Sequence, residues 1–281
     1  MSSESRTEPS GASLSYRRIL EREIENALKE IHRPPKGVFL SGLTAGLNLS
    51  YGALLMAMVL TFSGGFESKL VQQALLGGVS SIAFLLVVIG QTELFTAHST
   101  MAVLPVLDGR ASVGDLARVW GVTYVSNLLG CALFAGLIVA IGPPMGIVDP
   151  DAFGVLASAL IPFRWWLILL SGVVAGWLMG LVTWLSAASR DTVSRIFFVV
   201  LVTAVIGSGP FHHSILGTTE LLSAMLLGQG VTFGDYGHFI AWTTLGNVLG
   251  GSVFVALLNY GHVALAGEEH DVEFETENSS E

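Results

Sequence analysis

Residues 90–100 read GQTELFTAHST, and residues 207–220 read GSGPFHHSILGTTE. Each is a polar patch inside a hydrophobic run, at about 74–104 and about 194–227. Both runs exceed the roughly 20 apolar residues that a straight helical crossing of a bilayer needs. Gly207, Gly209 and Pro210 interrupt helical backbone in the second. Polar, non-helical backbone at membrane depth is tolerated only inside protein or beside a wet cavity. The two runs therefore read as broken spans, and a pair of broken spans points to a permeation site.

The rest of the chain fits a membrane bundle. Of its 281 residues 52% are apolar or aromatic and 12% are charged, with a mean hydropathy of +0.66. Average soluble domains carry about 25% charge, and here the charges crowd before residue 37 and after residue 267. Such a middle excludes a soluble enzyme, a nucleic-acid partner and a disordered chain. The expected fold is an all-α polytopic membrane protein with six spans, at about 38–62, 74–104, 117–142, 165–188, 194–227 and 238–263. A segment over 1–36 precedes the 37–263 span region, and an acidic tail over 264–281 follows it. Within 16–32, YRRILEREIENALKEIH, Ile19, Leu20, Ile24, Leu28 and Ile31 form one apolar stripe. That helix is expected to lie on the membrane surface or beneath the bundle, as an anchor or a gate. Eleven Lys and Arg fall on one side of the spans, and only Lys69 and Arg164 on the other. The bias places both termini in the cytoplasm of an inner or plasma membrane protein.

The two halves repeat. Thr123, Asn127, Leu129, Gly130 and Phe134 match Thr243, Asn247, Leu249, Gly250 and Phe254, while Ser41-Gly42 and Ala45-Gly46 match Ser171-Gly172 and Ala175-Gly176. Three spans per copy make the second copy inverted in the membrane. Glu93 precedes Asn127 by 34 residues and His213 precedes Asn247 by 34, so the spacing equates Glu93 with His213. The small residues suit close helix packing, with a pore-lining place for Gly46 or Gly176 as the other reading.

His213 is the central candidate for contact with a permeating solute, because ionisable residues within spans default to function. A neutral ring bonded to a backbone carbonyl is the alternative, and for the neighbouring His212 it is the preferred one. Thr96 and Ser99 offer hydroxyls that can stand in for water. Leu94, Phe95 and Phe211 are the candidate constrictions. Glu93 and Glu220 are expected to brace the breaks or to carry protons, with Glu93 accepting freed backbone N–H groups. Asn127 and Asn247 read as loop-bracing hydrogen-bonders, and His98 as a histidine facing a pore mouth. No cofactor motif or metal-type spacing is present, and Cys131 stands alone.

Glu93-Leu94-Phe95-Thr96, Phe211-His212-His213-Ser214 and the two asparagine helices together resemble the formate/nitrite transporter family over about residues 36–263. The resemblance implies an aquaporin-like fold assembled as a homopentamer in the lipid bilayer, with one pore per protomer. It also implies passage of a small monovalent anion or its neutral acid, such as formate, nitrite, hydrosulfide or a short carboxylate. The family's pore histidine maps onto His213 and its loop threonine onto Thr96, with Leu94 and Phe95 beside them. The sequence departs from the pattern at Gly176, where Asn is usual, at Gln91 for Gly and at His212 for Glu. The family's lysine near the outer entrance has no clear equivalent, Arg164 being the nearest cation. A neutral-solute or water channel of aquaporin type, and a membrane scaffold or sensor, remain as alternatives.

Overall fold

The structure is a computed structural model that describes residues 14–209 and 211–265. Pro210 and residues 266–281 of the acidic tail lie outside the described residues. Every regular element among the described residues is helical. Helix α1 spans Tyr16–Ile31 and α2 Pro35–Phe62; α3 (Lys69–Ile89) is followed by the short α4 (Phe95–Met101) and α5 (Leu104–Leu107). Then come α6 (Val113–Ile141), α7 (Pro150–Ser158), α8 (Trp165–Ala188), α9 (Thr192–Ser208) and α10 (Ser214–Leu226). Last are α11 (Phe233–Gly251), a π-helical turn (Ser252–Leu257) and α12 (Leu258–Leu265). Among the described residues, five helical stretches are long and apolar enough to cross a membrane: Pro35–Phe62, Lys69–Ile89, Val113–Ile141, Trp165–Ala188 and Phe233–Leu265. Thr192–Ser208 and Ser214–Leu226 are shorter apolar helices.

Local chemistry sets several boundaries that hydropathy misses. Helices α6 and α11 begin about a turn before the apolar runs do, at Val113 and Phe233. In each, an N-cap hydroxyl (Ser112, Thr232) accepts from the N–H of an aspartate three residues on (Asp115, Asp235). The aspartate carboxylate accepts in return from the cap's N–H, so two orphan donors are satisfied reciprocally. Helix α7, with only nine residues, is too short to register as a hydrophobic run and was not expected. Neither was the π-turn, where the Ser252 hydroxyl donates to the carbonyl of Ser99 at 2.7 Å.

Two helix pairs, α2 with α6 and α8 with α11, cross at nearly bare backbone. A methyl on Gly46 would overlap the carbonyl of Asn127, and one on Gly176 would overlap the carbonyl of Asn247. Both glycines thus belong to close packing. Helix α1 packs beneath the bundle, with Ile19, Leu20 and Ile24 against Leu104, Trp184, Ala187 and Val255. Arg22 donates to the carbonyl of Ala187 at 3.1 Å, and Arg118 to that of Ile31 at 2.7 Å. The expected apolar stripe omitted Glu23, which is 2% exposed. Burial, with the Glu30 carboxylate nearby, pushes its carboxyl up to about 8.

Candidate functional site: two helix breaks between two cavities

Backbone leaves helical geometry between Ile89 and Phe95, and again between Ser208 and Ser214. Each restart exposes N–H groups that have no partner in their own helix. Side chains from neighbouring helices supply the partners, in the same way at both breaks. The Phe95 N–H donates to Asn127 Oδ1 at 2.8 Å, while Asn127 Nδ2 donates to the carbonyls of Gly42 (2.7 Å) and Glu93 (2.9 Å). Likewise the Ser214 N–H donates to Asn247 Oδ1 at 2.9 Å, and Asn247 Nδ2 donates to the carbonyls of Gly172 and His212, both at 2.9 Å. One residue earlier than each capping position, the N–H of Glu93 donates to Ser41 Oγ at 3.2 Å and that of His212 to Ser171 Oγ at 3.1 Å.

These bonds correct the register read from spacing. Glu93 corresponds to His212, and Leu94, the N-cap of α4, corresponds to His213, the N-cap of α10. The stretch from break to asparagine is one residue longer in the second copy, which a fixed offset cannot register. Glu93 also does not gather freed N–H groups: Asn127 and Ser41 do, and the Glu93 carboxylate pairs with Arg33 instead. His98 faces the carboxylate of Glu30 through Nε2 and bonds the Leu94 carbonyl through Nδ1 at 2.9 Å. His212 is held at both ring nitrogens, by Ser171 Oγ (2.8 Å) and the carbonyl of Leu160 (2.9 Å).

Two cavities approach the breaks from opposite ends of α3. The near one, about 780 Å³, lies under α1 and is lined by Leu94, His98 and Gln91. Its rim carries Arg22, Lys29, Arg33, Arg190 and Arg195 beside Glu23, Glu25 and Glu30. The far one, about 300 Å³, is lined by Phe211, His213 and Glu220 with Met56, Leu76 and Ile206, among others. Between them, His213 Nε2 lies 2.9 Å from Thr96 Oγ1, with Thr96 0% and His213 2% exposed.

The histidine's proton can be placed by elimination. The Leu216 N–H points at His213 Nδ1 at 3.2 Å, and an N–H can only donate. Nδ1 is therefore the acceptor, the ring is the neutral tautomer protonated at Nε2, and Nε2–H donates to the Thr96 hydroxyl. The ring packs edge-on against Phe84, centroids 5.3 Å apart.

Of the expected site residues, the structure pairs Thr96 with His213, puts Leu94 on the near cavity, and puts His213, Phe211 and Glu220 on the far wall. Phe95 lines neither cavity: its ring packs on Trp120 and Tyr124 of α6, centroids 6.2 and 4.7 Å away. Ser99 lines neither, and its hydroxyl is spent on the Thr96 carbonyl at 2.8 Å. Ser41, Ser171, Phe84 and Arg33 were not singled out as site residues. For the two serines the signal was present in the repeat, where they match at an offset of 130.

The chain is similar to known proteins in sequence and in fold. The sequence profile of the formate/nitrite transporter family matches residues 17–261. The chain is 31% identical over 253 residues to a probable formate transporter of Methanothermobacter thermautotrophicus, covering 82% of this chain and 90% of that one. It is 28% identical to the nitrite transporter NirC of Escherichia coli over 226 residues, 79% of this chain and 82% of that one. Among solved structures, an FNT family ion channel superposes with a TM-score of 0.78 at 24% identity, over 86% of this chain and 98% of that one. A pentameric formate channel with formate bound superposes with a TM-score of 0.72 at 21% identity, over 82% and 98%. The chain belongs to the formate/nitrite transporter family and is an integral membrane transport protein, not an enzyme.

Proposed function

We propose that the chain conducts a small monovalent weak-acid anion of the formate or nitrite kind, and that the solute crosses in effect as its neutral acid. The observation that carries the reading is the hydrogen-bonded pair Thr96–His213, set between one cavity with a basic rim and another with an apolar wall. An anion gathers at the near cavity, where five Lys and Arg side chains raise its local concentration. Beyond Leu94 it meets the Nε2–H of His213 and the Thr96 hydroxyl, donors that replace lost water. The wall past that point is mostly apolar and carries no Lys or Arg among the described residues, so an anion that stays charged there is disfavoured, whereas a neutral acid is not. Transport is thus expected to follow protonation of the solute.

In this reading α2, α3 with α4 and α5, and α6 form one three-span repeat. Helices α8, α9 with α10, and α11 with α12 form its inverted copy. The identical bonding of Asn127 and Asn247 supports the repeat. Apolar side chains turned outward, among them Leu133, Leu137, Leu170, Trp177 and Leu201, suit lipid and neighbouring subunits in a homopentamer with one pore per protomer. The pentameric relative supports that assembly. Residues 1–36 and 264–281 lie in the cytoplasm, where the basic residues collect.

A second reading, a neutral-solute channel, is favoured by one feature: no Lys or Arg lines the far cavity among the described residues. Stopped-flow measurements on proteoliposomes with formate, nitrite, acetate and water, at about pH 5 and about pH 7, separate the two. Anion uptake that quickens at the lower pH supports weak-acid transport. Water flux with no pH dependence and no anion uptake overturns it in favour of the neutral channel.

A further inference from the structure

The far cavity contains a buried carboxyl, that of Glu220. Glu220 is 6% exposed, lines that cavity, and makes no hydrogen bond or ion pair among the described residues. It shares one face of α10 with His213. Residues 213, 216, 217 and 220 all line the cavity, the spacing of a single helical stripe. Seven residues at about 1.5 Å of rise put Glu220 about 10 Å from His213 along the helix axis.

Among the described residues, no charged group on the helices around α10 answers it. Toward α10, α6 turns Cys131, bonded to the carbonyl of Ile215, and α11 turns Tyr236, bonded to the Thr218 hydroxyl. Helix α2 offers Ser50, bonded to Thr219, and α4 carries His98, which faces Glu30 away from this cavity. The α7 residues on the cavity wall are Val155 and Leu156, and the polar ones from α3 are the neutral Gln72 and Gln73.

His213, meanwhile, has no proton to give. With Nδ1 accepting from the Leu216 N–H, the ring is neutral, and losing Nε2–H would leave an imidazolate. It can offer a hydrogen bond to a passing anion, but the proton that neutralises the solute has to come from elsewhere. We propose that Glu220 is the proton-exchanging residue of the far vestibule. An anion entering the far cavity takes the Glu220 proton: the carboxyl O–H bond breaks, and a new O–H bond forms on the anion. The neutral acid then moves to the hydrogen bond of His213, and the Glu220 carboxylate regains a proton from water at the cavity mouth. In the opposite direction Glu220 first gives its proton to water at the cavity mouth. Its carboxylate then takes the proton of the arriving acid, whose O–H bond breaks as that of Glu220 forms, and the anion leaves. This inference rests on the weak-acid reading above.

The test is formate uptake into liposomes holding full-length wild type, Glu220→Gln or Glu220→Asp, at about pH 5 and about pH 7.5. Size-exclusion elution checks that each variant is assembled like wild type. Glu220→Gln keeps volume and hydrogen bonding but cannot exchange a proton. We expect it to be slowed at least about tenfold at the higher pH, a modest share of what a general acid contributes. At the lower pH, where bulk solution supplies more neutral acid, its uptake should approach wild type, and Glu220→Asp should recover most of the loss. Equal slowing of Glu220→Gln at both pH values overturns the inference in favour of a structural role. Unchanged or faster uptake at the higher pH overturns it in favour of an anion-repelling carboxylate. Wild-type protein without acid-linked formate uptake overturns the underlying reading itself, whatever the variants do.

Discussion

Asn127 and Asn247 each close three backbone groups that a broken helix and its neighbour leave open, one N–H and two carbonyls. An amide is the one uncharged side chain that both donates twice and accepts at this reach. Leaving a buried backbone group unpaired costs about 1–3 kcal/mol, so Asn247→Ala should destabilise the protein by several such increments. Thermal unfolding in detergent should show a midpoint lower by at least several degrees, with Asn247→Asp, which keeps the acceptor for Ser214, falling in between. A midpoint unchanged in Asn247→Ala would contradict the bracing role. At this scale the sequence was informative about residue type and less so about direction. Asparagines at matched positions announced hydrogen-bonding to the breaks, and the polar run from Glu93 to Ser99 marked the first break. Which way a ring or carboxylate turns depends on neighbours far along the chain. Phe95 faces α6, and Glu93 meets Arg33 across 60 residues. No local period carries that information.

Helix α1 ties an amphipathic segment to the bundle beside the near cavity. Its apolar stripe was legible from period 3.6 alone, but the polar contacts made to the first helix break by its end and the residues after it were not, because Glu30 and Arg33 look like ordinary solvated charges until His98 and Glu93 are placed beside them. Glu23 gives the docking a pH dependence. Docked, it holds its proton up to about pH 8; freed, it would lose the proton near its ordinary 4.5. Docking binds the proton more tightly, so the contact weakens as pH rises between those two values and levels off above about 8. Hydrogen exchange over residues 16–31 should therefore be faster at about pH 9 than at about pH 6 after correction for intrinsic rates. Glu23→Gln should remove the difference. Equal protection of wild type at both pH values would contradict the burial of Glu23 as the cause. The short elements, α7 and the π-turn, were missed because nine and six residues are below what hydropathy windows resolve.

For the whole molecule, the shortage of charge in the middle of the chain announced a membrane bundle, and the matched halves marked the two helix breaks beside which the polar groups lie. The one-residue difference between the two copies hid the true correspondence, Leu94 with His213. It is a telling one: at equivalent capping positions one repeat places an apolar side chain on the near cavity and the other a hydrogen-bond donor on the far cavity. In the proposed function the solute passes His213 on its way between those cavities, so the proposal stands or falls on that side chain. The most direct test is formate uptake into liposomes containing wild type or His213→Phe, with the external solution stepped to about pH 5. The account predicts uptake in wild type that quickens on acidification. In His213→Phe it predicts loss of at least about ten-fold of that flux, the scale of one well-placed buried hydrogen bond to a charged or polar group. Acid-quickened uptake of equal rate in both proteins would contradict it.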